Sequence, residues 1–156
     1  MLDHIFNINS IEEELFMAGA GFILVKYFNN QPKFLGLIGL EKWQKKSSGK
    51  YDIPKGTIDL NENEWDAAIR ECKEETGIFV KSSNIIAGPM TSGFLTVWLA
   101  EVDEEPTINK NPSTGKIEHL GYKWLDPQDL WLECFDFLCE YVEWGKIELK
   151  KQEYNG

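Results

Sequence analysis

Residues 56–78 read GTIDLNENEWDAAIRECKEETGI, and this segment constrains the chain more than any other part of it. An arginine, Arg70, is followed within it by three carboxylates, Glu71, Glu74 and Glu75, ahead of Gly77. Asn63 is suited to cap a helix, with Asp66 three residues on as a weak capping box, and Gly77 can take the left-handed conformation that ends one. Between these caps Trp65, Ala68, Ile69 and Cys72 recur at helical spacing and are expected to face the core. That leaves the acidic positions to the opposite side or its edge. Positions 71 and 75 lie one turn apart and 74 adjoins them, so the three carboxylates can point into one small volume. Like charges crowded there repel and shift one another's pKa values unless a cation sits among them, and hard oxygen donors call for a divalent metal, magnesium first. An acidic face alone marks only the wet side of an amphipathic helix. Here Arg70 and the flanking glycines accompany it.

Composition sets the frame. At 156 residues and 42% hydrophobic content, the chain is long enough for one well-packed domain and too short for two comfortable ones. We expect a single domain over residues 1–156, with its core at about 18–145. No run approaches the apolar length of a membrane span, and residues 1–6, MLDHIF, lack the basic and then apolar build of a secretion signal, so a cytoplasmic protein is expected. Cys72, Cys134 and Cys139 are odd in number and lack metal-type spacing, which favours reduced thiols. A net charge of -10 argues against affinity for membranes and for long nucleic acid, and it leaves an anionic substrate to be received by metal and a few local cations. Oligomeric state is not legible.

Strands and helices alternate in an α/β order. After an acidic helical opening near residues 11–16, residues 21–28 form an apolar, β-branched and aromatic run that reads as a central strand. Asn29 to Pro32 reads as a turn and residues 34–40 as the returning strand. Residues 41–50 are polar and carry Ser47, Ser48 and Gly49, so a loop is expected. Residues 56–62 read as the loop that enters the acidic helix. Residues 84–87 and 94–102 are expected strands around a turn at 88–93, residues 103–115 a surface loop, and 121–125 a last short strand. From Pro127 onward Leu130, Cys134, Phe137, Leu138, Tyr141 and Val142 repeat at three and four residues, as in one core-facing helix.

The acidic segment resembles the Nudix box, G-x5-E-x7-R-E-U-x-E-E-x-G-U with U a bulky apolar residue. Gly56, Glu62, Arg70, Glu71, Glu74, Glu75, Gly77 and Ile78 match, and Cys72 stands where Leu or Ile is more usual. Cysteine packs as a small hydrophobe, so this departure costs little. Two further patches are similar to asymmetric diadenosine tetraphosphate hydrolases. Tyr51-Asp52-Ile53-Pro54-Lys55-Gly56 looks like their W-x-x-P-K-G lead-in, and residues 118–124, EHLGYKW, look like their E-H-x-x-aromatic-basic-W stretch. Residues 97–100, VWLA, are similar to their Tyr-Trp-Leu-Ala strand.

This resemblance implies an α/β/α sandwich with a mixed sheet and a catalytic helix after the Gly56 loop. It implies a magnesium-dependent hydrolase, with manganese as a substitute, that cleaves a phosphoanhydride in a nucleoside diphosphate derivative, a dinucleoside polyphosphate first. Glu71, Glu74, Glu75, Glu118 and Arg70 are the catalytic candidates, with metal ligation by Gly56, Glu71, Glu74, Glu75 and Glu118. Arg70 is expected to orient one of the helix carboxylates through a bidentate pair, and Glu62 to fix the loop. Lys55 is placed to meet phosphate oxygens, while Tyr51 and Phe94 could stack on a base. Phe94 stands where these enzymes usually carry Tyr, in a shorter hairpin than theirs; stacking survives that change and a hydroxyl contact does not. His119 could relay a proton or be an idle loop residue, and Trp98 and Trp124 are more at home in the core. Other Nudix substrates remain as alternatives: oxidised nucleoside triphosphates, ADP-ribose or NADH, and capped RNA 5′ ends. A binding module that lost turnover is a further one, disfavoured by the intact carboxylate set.

Overall fold

A computed structural model describes residues 18–155 of the chain. The acidic opening expected near residues 11–16 lies outside them. The elements in order are β1 (Gly19–Phe28), β2 (Gln31–Gly39), α1 (Glu41–Ser47), β3 (Tyr51–Asp52), β4 (Lys55–Thr57), α2 (Glu64–Thr76), β5 (Ile85–Ser92), β6 (Leu95–Glu101), β7 (His119–Leu125), α3 (Pro127–Glu133) and α4 (Cys139–Asn155). No helix among the described residues is long and apolar enough to cross a membrane.

The run that reads as a central strand is one. β1 pairs with β6 in parallel from Gly19–Leu95 to Val25–Glu101, and its alternate residues serve two cores. Ala20, Phe22 and Leu24 face Ala67, Ala68 and Cys72 of α2, while Ile23 and Val25 face Leu130, Leu138, Tyr141 and Val142 of the C-terminal helices. A strand covered on both faces needs no polar alternate positions, which is why its sequence is nearly continuous in apolar residues. The result is a mixed sheet between helical layers, an α/β/α sandwich.

β1 and β2 pair only near their hairpin, from Val25–Phe34 to Phe28–Gln31, and then diverge. The turn is shorter than expected, because Asn29 and Asn30 both take positive φ, 51° and 67°, as a two-residue hairpin requires, and Gln31 and Pro32 already belong to β2. Into the opening between the strands comes the segment from Tyr51 to Thr57. Its β3 end pairs with Leu37 and Ile38 of β2, and its β4 end pairs with Gly19–Gly21 of β1. This split seats Asp52, Lys55 and Gly56 side by side at the mouth of the sheet.

α2 is fixed at both ends as its sequence suggests. The Asn63 side chain accepts from the Asp66 amide at 2.8 Å, and Gly77, at φ 75°, donates its N–H to the Lys73 carbonyl. Glu75, by contrast, is not on a wet face; it is only 8% exposed, against β4.

Four local readings are corrected. Residues 41–47 are helix α1, since Glu, Lys, Trp and Gln favour it and the acidic start and basic end suit the helix dipole; Ser48, left-handed at φ 52°, ends it. Strand β5 continues through Gly88 and Pro89 rather than turning there, because register shifts between Ile85 and Met90 absorb them on an edge strand that tolerates proline. The true turn is at Gly93 and Phe94. The last strand begins at His119, two residues earlier than read. The C-terminal helix is broken: Cys134 is extended and bridges to Tyr51, and the Phe135 amide donates to the Tyr51 carbonyl at 2.8 Å. That break throws Phe137 out of the core onto a 3-10 turn, 51% exposed, while Leu130, Cys134, Leu138, Tyr141 and Val142 stay buried.

Candidate active site

A cavity of about 750 Å³ opens where α2, β3, β4 and β7 meet, and Glu71, Glu74, Glu75 and Glu118 all line it. The α2 carboxylates reach it because β4 packs across the helix, so close that a Cβ on Gly56 would land on the Glu71 carboxylate. Only glycine leaves that space. Glu75 accepts the Lys55 amide at 2.9 Å, and Glu118 accepts the Asn111 side-chain amide at 2.9 Å. Glu75 and Glu118 are thus turned to different partners. Among the described residues no three His, Cys, Asp or Glu side chains converge closely enough to hold an ion as they stand, so the tight cluster expected from helical spacing is a shared cavity instead.

Arg70 organises the wall. Its Nε and Nη2 donate to the two oxygens of Glu62, both at 2.9 Å, its Nη1 reaches Glu71 at 2.9 Å and Glu74 at 3.3 Å, and Nη2 also caps the Thr57 carbonyl at 2.9 Å. The bidentate partner is therefore Glu62 in the loop, not a carboxylate of α2, because only a group approaching along the guanidinium plane can meet two of its N–H groups. Glu62 in turn accepts the Asp59 amide at 3.0 Å, which closes the loop onto the helix.

Beside the glutamates lies a second set that the sequence did not reveal. Asp52 pairs with Lys55 Nζ at 3.3 Å and with His119 Nε2 at 3.0 Å, and it accepts the Ile53 amide at 2.8 Å. His119 is no exposed loop residue; it is 6% exposed in β7. Asp52 and His119 are 67 positions apart, and nothing local marks them as partners. Lys55 lines the cavity, with its ammonium 5.3 Å from the Phe137 ring centre.

Tyr51 is 2% exposed and belongs to the core between β2 and the C-terminal helices, so its ring offers no stacking surface. Trp98 is core as expected, and Trp124 is half-buried against the same core, beside Phe28 and away from the cavity, with its Nε1 donating to Glu105. Phe94 lines a second, adjoining cavity of about 780 Å³. Trp43, Lys55, Gly56, Thr57 and Phe137 belong to both cavities and form the wall between them.

A family model for the NUDIX domain matches residues 18–140. The chain belongs to the Nudix family. Among relatives, the mouse asymmetrical bis(5′-nucleosyl)-tetraphosphatase is 36% identical over 112 residues, 64% of this chain and 66% of that protein. An RNA pyrophosphohydrolase of Bartonella tribocorum is 31% identical over 105 residues, 53% of this chain and 60% of that protein. The matched stretch is thus less than two thirds of either relative's length. The crystal structure of a C. elegans Ap4A hydrolase binary complex has a TM-score of 0.59 at 22% identity, over 88% of this chain and 96% of that one, which speaks to the fold.

The charges of this Nudix site are strained as they stand. Burial raises the Glu71 pKa, Arg70 opposes it, and Glu74 and Glu118 add to it, leaving the group at about 7. Glu75 is pushed well above the usual range by burial and by Asp52, against Lys55 and its amide. For Asp52 burial also works upward, but Lys55, His119 and the Ile53 amide outweigh it and hold the group below its ordinary value. Lys55 answers in kind: burial opposes its charge, and Asp52 and Glu75 restore it, to above the ordinary range.

Proposed function

We propose that this Nudix protein is a magnesium-dependent hydrolase of a phosphoanhydride next to a nucleoside, with a dinucleoside polyphosphate such as diadenosine tetraphosphate as its substrate. The observation that carries this is the lining of one cavity by Glu71, Glu74, Glu75 and Glu118, with Arg70 fastening the helix to the loop. All the donors are oxygens, which suits a hard cation, and Glu71 and Glu75 resist ionisation without one. These four glutamates and the main chain at Gly56 are the groups to hold magnesium, for which manganese can substitute. Bound there, the metal supplies neutralisation of the phosphate charge and a more acidic water.

The chain's own residues do the rest. Glu71 and Glu118, which both line the cavity, are the candidates to accept the proton of the attacking water. Arg70 is a positioning residue: it holds Glu71 toward the cavity and bears no substrate itself. Oxygen attack on phosphorus breaks the bridging P–O bond, and asymmetric cleavage of diadenosine tetraphosphate gives ATP and AMP. The choice of substrate draws support from the mouse relative, a bis(5′-nucleosyl)-tetraphosphatase, and from the Tyr51–Gly56 and Glu118–Trp124 patches.

A second reading, hydrolysis at RNA 5′ ends, has the Bartonella relative in its favour and the net charge of -10 against it for long strands. A magnesium-dependent screen over diadenosine tetraphosphate, ADP-ribose, an oxidised nucleoside triphosphate and a 5′-triphosphorylated RNA separates them. We expect the highest kcat/KM on diadenosine tetraphosphate, with ATP and AMP as products. A preference for ADP-ribose or RNA rejects the substrate and leaves the chemistry standing.

A further inference from the structure

The glutamate-lined cavity carries a shortage of free positive charge. Among the described residues its lysine and arginine lining is Lys46, Lys55 and Arg70. Arg70 is committed to Glu62, Glu71 and Glu74, and Lys55 is shared with Asp52, which leaves it only part of its charge for a substrate. Lys46 makes no ion pair among the described residues. A long polyphosphate brings more charge than ions held by the glutamates alone can meet, and the phosphates farthest from those glutamates need a cation of their own.

Lys46 lies on α1, and α1 is an unusual element. It buries none of its residues, so the core does not require it. Yet it is fixed at its base: the Gln44 side chain donates to the Gly39 carbonyl at 2.8 Å, and the Lys50 amide donates to the Glu133 carbonyl at 2.8 Å. In a chain of net charge -10, residues 42–50 hold Lys42, Lys45, Lys46 and Lys50 with no acid among them. Trp43 sits in their midst, 42% exposed, in the wall shared by both cavities. The ammonium groups of Lys42 and Lys46 rest 5.4 Å and 5.3 Å from its ring centre.

We propose that α1 is a substrate-binding rim, in which Trp43 stacks on the nucleobase at the far end of an extended polyphosphate substrate and Lys46 receives the phosphates beyond the cleaved bond. The inference rests on the dinucleoside polyphosphate reading of the site and names the part of the chain that selects for length. An exposed cation–π contact is weaker than stacking of a base on an indole, so an arriving base displaces a lysine from the ring. The displaced ammonium is then free for the phosphates. Base stacking and phosphate capture therefore support each other on one short helix.

The test is steady-state hydrolysis of diadenosine tetraphosphate, in saturating magnesium, by the full chain and by Trp43→Ala, Trp43→Phe, Lys46→Ala and Lys45→Ala. Lys45 is exposed on the same helix and does not line either cavity, so its loss controls for charge alone. We expect KM to rise about tenfold in Trp43→Ala and in Lys46→Ala, with a smaller change in kcat, and Trp43→Phe to recover most of the loss. Lys45→Ala should stay within twofold of wild type. An unchanged KM in either Trp43→Ala or Lys46→Ala, or an equal rise in Lys45→Ala, overturns the rim. So does a rise seen only with a 5′-triphosphorylated RNA, which would assign α1 to an RNA strand. Failure of the wild-type protein to cleave diadenosine tetraphosphate is a separate result; it overturns the substrate reading, and the rim with it.

Discussion

The carboxylate of Glu71 lies where a side chain on Gly56 would have to be. Any larger residue at 56 must drive Glu71 out of the cavity or lift β4 from α2. Gly56→Ala is therefore expected to keep the fold, by circular dichroism, and to lower kcat/KM by about a hundredfold, the scale of loss for an ångström of misplacement. Retention of more than half the wild-type value would show that Glu71 can work from elsewhere.

Glu75→Gln should separate chemistry from stability. The amide oxygen can still accept the Lys55 N–H, and the buried negative charge is removed. Turnover at saturating magnesium should fall more than tenfold, while the Tm of the metal-free protein holds or rises. A protein with more than a tenth of its turnover would rule out a ligand role for this carboxylate.

In Glu118→Gln the Asn111 contact is likewise kept, so only the charge is lost. A group acting on water or metal works mainly in the transition state, and kcat should drop much more than KM rises. If kcat is unaltered, Glu118 is part of the wall and nothing more.

The metal-free protein should become less stable as pH rises through neutrality. Unfolded, Glu71 releases its proton near 4.5; folded, near 7. Between these values the native state binds more protons, so its advantage is complete below about 4.5 and is lost by about 7. Glu75 acts in the same direction. Thermal melts at pH 5 and pH 8 in a chelator should show the decline, and magnesium should shrink it, since binding at the higher pH no longer has to expel a proton. A chelator-independent, flat profile would refute the crowding of these carboxylates.

Lys55→Ala removes the partner of a buried acid as well as a cavity cation. The cost, about 3 kcal/mol for breaking such a pair, should appear as a lowered Tm, and adding Asp52→Asn should restore part of it. On substrates, the single change should harm diadenosine tetraphosphate more than ADP-ribose, because only the longer chain offers it extra charge. Equal harm on both would confine Lys55 to the Asp52 pair.

What the sequence disclosed was what short range decides. Asn63 and Gly77 bracket α2 because caps act over three or four residues, and Phe22 to Val25 announce a strand because burial on both faces leaves no polar position. Glu71, Glu74, Glu75 and Glu118 do meet at one cavity. Long-range choices were hidden. Tyr51 looks like a stacking residue until Cys134 and Phe135 fold over it, and Asp52 has no visible purpose until β7 delivers His119. The serines and glycine after Lys46 read as loop and obscured α1, although they are only its ending.

The parallel pairing of β1 with β6 has a cost during synthesis. Gly19 waits for Leu95, and Val25 for Glu101, so one whole edge of the most apolar strand stays open while the ribosome makes everything between. A chain that stops short of Glu101 carries that edge permanently, a template for another copy's strand. Nascent or truncated forms of this protein are accordingly the ones open to edge-to-edge association.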